Sequence, residues 1–157
     1  MSFDSHVLSY FQELEALKSL DEEESKAFLD LLVLAILADN EITDEELTQL
    51  DEELLRLPFL WDADTRERVV DHSAQTREYL ESILGQENKI EIFVKGVTDR
   101  ITNPDHRVVA LRMFAAVVLS DGITDVERER VFDVGSAFGI TGDTVDDLIT
   151  DVANSLG

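Results

Sequence analysis

The chain has 157 residues, 44% of them hydrophobic, enough for one compact domain with its own core and short for two. Its 13 basic and 35 acidic residues leave a net charge of −22, which repels nucleic acid and anionic membranes and favours cations and basic partners. There is no cysteine, so disulfides, thiolate nucleophiles and Cys-ligated zinc or iron–sulfur centres are excluded.

The same charge also suits a solvated surface adapted to salty surroundings. With 7 glycines and 2 prolines, turn material for an all-β fold is scarce. The start, Met1-Ser2-Phe3-Asp4-Ser5-His6, has neither a basic nor an apolar leader region, and the cytoplasm is the expected address. The longest apolar runs, 31–38 and 113–119, fall far below the roughly 18–20 residues of a membrane span. They read as core helices, so no membrane insertion is expected.

Helical spacing of apolar residues runs through the chain. Val7, Phe11, Leu14 and Leu17 predict a first helix. Asp21, followed by Glu22-Glu23-Glu24, predicts a capped second helix running to Ala38, apolar nearly all round and so buried. Leu47, Leu50, Leu54 and Leu57 predict a third, stopped by Pro58. Val69, Thr76, Leu80 and Ile83 predict a fourth, ended by Gly85.

Ile90, Phe93, Val94, Val97 and Ile101 predict a fifth helix. Asn103-Pro104-Asp105 then reads as N-cap, first-turn proline and first-turn acid of a sixth, again nearly all apolar to Leu119. Val126, Val131, Val134 and Phe138 predict a seventh, ended by Gly139. Val145, Leu148, Ile149, Val152 and Leu156 predict an eighth. No segment alternates with period two for the length of a strand.

The expected fold is therefore all-α, with about eight helices in a tandem pseudo-twofold repeat around two buried central helices. The chain reads as a single domain, 1–157, with repeat halves of about 1–85 and 86–157. Each half carries an acidic turn after its buried helix: Ala38-Asp39-Asn40-Glu41-Ile42-Thr43 and Ser120-Asp121-Gly122-Ile123-Thr124, offset by 82 residues.

Most of this turn is helix punctuation. Asn40 and Gly122 tolerate the left-handed conformation that ends a helix, and Ile42 and Ile123 can tuck against the last turn. Thr43 and Thr124 read as N-caps, with Glu46 and Glu127 completing capping boxes. Asp44 and Asp125 suit the positive end of the following helix dipole. Asp39 and Asp121 do not fit, because each sits where the dipole disfavours an anion. Two candidate sets of hard oxygen ligands for Ca²⁺ or Mg²⁺ follow: Asp39, Glu41 and Glu46, and Asp121, Asp125 and Glu127. The EF-hand pattern fails, since Asp44 and Leu50 stand where that loop needs glycine and glutamate, and Val126 and Phe132 stand there in the second copy.

A buried helix ending in Ala-Asp-Gly/Asn, followed by isoleucine and a capped glutamate, resembles the TerB-like tellurite-resistance family. The resemblance covers 31–57 and 110–138. It implies an all-helical, non-enzymatic accessory protein of a bacterial stress or tellurite-resistance system, acting through metal binding and partner proteins. The matching positions are Asp39 and Glu46, then Asp121 and Glu127. The second copy departs by lacking a counterpart of Glu41 and by carrying Ser120 for Ala38. A metal-free acidic scaffold for protein–protein interaction is the alternative.

The remaining signals are sparse. His6, His72 and His106 are not paired at zinc-site spacing and read as surface residues. No phosphate loop, nucleophile elbow or dinucleotide fingerprint occurs, so neither catalytic residues nor an organic cofactor are expected. Leu57-Pro58-Phe59-Leu60-Trp61 is a loop cluster of large apolar residues, read as a staple on the core. Arg66, Arg68 and Arg77 form a local basic patch that could meet the acids of a second copy in a homodimer.

Overall fold

The computed structural model describes residues 20–37, 63–83, 85–119 and 124–156. Among them are six helices and no strand: α1 Glu22–Leu37, α2 Ala63–Ile83, α3 Glu87–Arg100, α4 Pro104–Val118, α5 Asp125–Ala137 and α6 Gly142–Leu156. They are the second and the fourth to eighth helices expected from the sequence. The expected first and third helices, the apolar loop 57–61 and most of both acidic turns lie outside the described residues.

The helix ends follow their local chemistry. Asp21 Oδ1 accepts from the Glu24 amide at 2.8 Å, which caps α1. Asn103 Oδ1 accepts from the Asp105 amide at 2.9 Å, with Pro104 at the first position of α4. Thr124 and Glu127 form a complete capping box on α5. Gly139, at φ 78°, ends α5. There the Ile140 amide donates to Gly135 O at 2.9 Å and the Gly139 amide to Ser136 O at 3.0 Å, a Schellman closure.

Packing sets α1 and α4 at the centre. Phe28, Leu29, Leu31, Leu32 and Val33 of α1 are buried, as are Leu111, Met113, Phe114, Ala115 and Val117 of α4. Helices that are apolar on nearly every side are stable in water only when neighbours surround them. Accordingly α1 packs against α2, α3 and α4, while α4 packs against α1, α5 and α6.

Two cross-links at one sequence offset fix the direction of α2. Glu22 meets Arg68 and Asp30 meets Thr76, both 46 residues apart, so α1 and α2 run parallel. The close approach of α5 to α6 and α4 depends on Gly135, where an added Cβ would lie 2.6 Å from Val145 Cγ2 and 3.3 Å from Leu111 Cδ2.

Candidate functional site

Of the six candidate cation ligands, Asp125 and Glu127 are described, and Asp39, Glu41, Glu46 and Asp121 lie outside the described residues. Asp125 is exposed in the first turn of α5. The Glu127 carboxylate accepts from the Thr124 amide at 3.4 Å, while the Glu127 amide donates to Thr124 Oγ1 at 3.2 Å. That carboxylate is thus engaged in capping. Among the described residues no three His, Asp or Glu side chains converge as metal ligands would.

The interior chemistry gathers elsewhere, on Asp30. It interrupts the apolar run of α1 and is 2% exposed. Its Oδ1 accepts from Thr76 Oγ1 at 2.6 Å and lies 2.8 Å from His72 Nε2, both on α2. Its Oδ2 accepts from the Arg100 guanidinium at the end of α3. Burial pushes the Asp30 carboxyl up, but the hydrogen bonds from His72, Thr76 and Arg100 more than reverse this, so its pKa lies below the ordinary 3.8. An ionised carboxylate only accepts, which puts the shared proton on His72 Nε2. One carboxylate therefore ties three helices together. His72 and Arg100, 27% and 32% exposed, form its solvent-side rim.

The cluster extends into a ladder. Glu22, Lys26 and Asp30 follow one another at four-residue steps along α1, and Arg68, His72 and Thr76 do so along α2. Arg68 Nη2 donates to Glu22 Oε1 at 2.7 Å, and Lys26 lies 3.2 Å from Glu22 Oε2. These contacts hold the half-buried Glu22 carboxyl below its usual range, Arg68 contributing most. Arg68, one of the three arginines read as a basic patch, thus meets an acid of its own chain.

Two further bridges join the remaining helices. His106 Nδ1 of α4 lies 2.5 Å from Glu24 Oε2 of α1. Arg107 donates to Ile101 O at 2.6 Å, Thr98 O at 3.1 Å and Phe138 O at 3.5 Å. It thereby caps the ends of α3 and α5 with a cation, the sign that helix C-termini favour. A cleft of about 470 Å³ opens beside it, lined by Pro104, Val108, Phe138, Ile140 and Thr144.

The sequence pattern places His72 and His106 at the surface and does not single out Asp30. The available signal is a lone carboxylate inside an eleven-position apolar stretch, 28–38, with polar ladders of equal step on two helices. Periodicity flags the apolar face, and it does not say which polar residue that face will bury.

Comparison of the chain with protein-family models, with curated proteins and with solved structures finds no match. Among the described residues no helix is long and apolar enough to cross a membrane.

Proposed function

We propose that this chain is a non-enzymatic accessory protein that works by binding, its acidic helical surface docking a basic protein partner. The observation that carries this reading is the outer face of α6. Asp143, Asp147 and Asp151 lie there at four-residue steps, all exposed. Asp151 already lies 3.7 Å from Arg112 Nη2 of α4. Like charges one turn apart destabilise a helix by roughly 0.2–0.5 kcal/mol per pair, so Asp143 and Asp147 repel in the free protein and gain by meeting positive charge. Interior polar groups support the same reading, since Asp30, His72, Thr76 and Arg100 are bound to one another across helices. The resemblance of 31–57 and 110–138 to the TerB-like family supports it too, and with it a role in a bacterial stress or tellurite-resistance system.

A second reading adds Ca²⁺ or Mg²⁺ at the two acidic turns, supported by the sequence placing Asp39 and Asp121 where each expected helix ends. One preparation tests both. Copurification from source cells should yield a basic protein released as salt is raised, and D143K/D147K should lose it while keeping the helical circular dichroism. A complex indifferent to salt and to these charges, or no complex, refutes the first reading. A thermal shift at millimolar Ca²⁺ or Mg²⁺, lost in D39A/D121A, is required by the second.

A further inference from the structure

Helix α3 carries no net charge in an otherwise strongly acidic chain. It carries Glu87, Glu91 and Asp99 against Lys89, Lys95 and Arg100, so its own charge is balanced. Its outer face also holds Ile92, which at 68% is exposed far beyond what burial of an isoleucine would favour. One turn on stands Gly96, exposed in mid-helix. A Cβ added there meets nothing within 4 Å, so no contact inside the chain requires glycine, although glycine weakens a helix. Lys89, Lys95 and Asp99 are exposed on the same side. Tyr79 of α2, 49% exposed, continues the apolar surface, its ring centroid 6.2 Å from that of Phe93.

We propose that this face of α3 is a homodimer interface in which two copies pack α3 antiparallel across a twofold axis. The occupant is specified by the spacing. In the register that seats each Ile92 in the notch over Gly96 of the second copy, Lys89 falls opposite Asp99 of the second copy. Twofold symmetry makes each of these contacts twice. In the same register Lys95 comes near Glu91 of the second copy, and no like charges stand directly opposite. A small residue lets helix backbones approach closely, and a large apolar side chain one turn away fills the notch it leaves. The neutral charge of α3 lowers the repulsion that two such molecules would meet through the net-acidic helices α1, α2, α5 or α6. A single helix pair with one flanking tyrosine is a small interface, so the dimer is weak, with a Kd in the micromolar range.

Sedimentation velocity on the full chain, over about 2–300 µM, tests this. A reversible monomer–dimer equilibrium is expected. I92D should weaken it about a hundredfold, and G96A should weaken it while raising the melting temperature of the monomer. K89E and D99K should each weaken it about fivefold or more, and K89E/D99K should restore it, because the swapped charges meet again across the axis. Circular dichroism confirms that each exposed substitution leaves the fold intact. A chain monomeric across the whole range overturns the proposal. So does a dimer indifferent to I92D, or one in which the double charge swap stays as weak as the singles.

Discussion

Asp30 concentrates the physical cost of this fold in one side chain. A carboxylate 2% exposed survives as an anion only because Thr76, His72 and Arg100 replace the water it has lost. Removing it leaves Arg100 and His72 without the acceptor they share. D30A should therefore destabilise the protein by about 3 kcal/mol in chemical denaturation. Replacing the whole group with apolar residues, D30L/H72L/R100M, should recover much of that loss, since the desolvation of every member is removed together. The pH dependence has a fixed sign. The folded pKa of Asp30 is depressed, so its contribution is fully present above its unfolded value of about 3.8 and is lost as pH falls through the lower folded value. The stability gap between wild type and D30N should close in acid below about 3.8. A gap that widens in acid would contradict this.

At the scale of elements, the legible part of the chain is its punctuation. Asp21, Asn103, Thr124 with Glu127, Gly85 and Gly139 all mark helix ends that the structure contains. Capping is local chemistry, decided within four residues, so sequence reads it directly. Helix-to-helix contacts are different. Gly135 sits inside α5, where propensity favours alanine, yet the space for a methyl group is taken by Val145 of α6. G135A should cost about 1–3 kcal/mol despite its better helix propensity, and V145A in the same chain should relieve part of that loss. Equal stability of G135A and wild type would show that α5 and α6 can shift apart at no cost. Nothing local to 125–137 announces this requirement, because the clashing atom belongs to a different helix.

For the molecule as a whole, charge is the governing quantity. A net −22 on 157 residues stores self-repulsion that folding compresses into a smaller volume. Added salt screens it, the Debye length falling from about 30 Å at 0.01 M to about 10 Å at 0.1 M. The melting temperature should therefore rise between about 0.01 and 0.5 M NaCl. A fall would mean that the attractive ladder of Glu22, Lys26, Arg68 and Asp30 outweighs the net field. Among the described residues, the sequence by itself determined the all-helical class, the capped helix ends and which two helices are central, because periodicity, capping and composition act through near neighbours. Tertiary structure alone decided that Asp30 is the buried junction of α1, α2 and α3, that α1 and α2 run parallel, and that both described histidines pair with carboxylates of α1. Those facts join residues up to 82 positions apart, and only the packed chain brings such residues into contact.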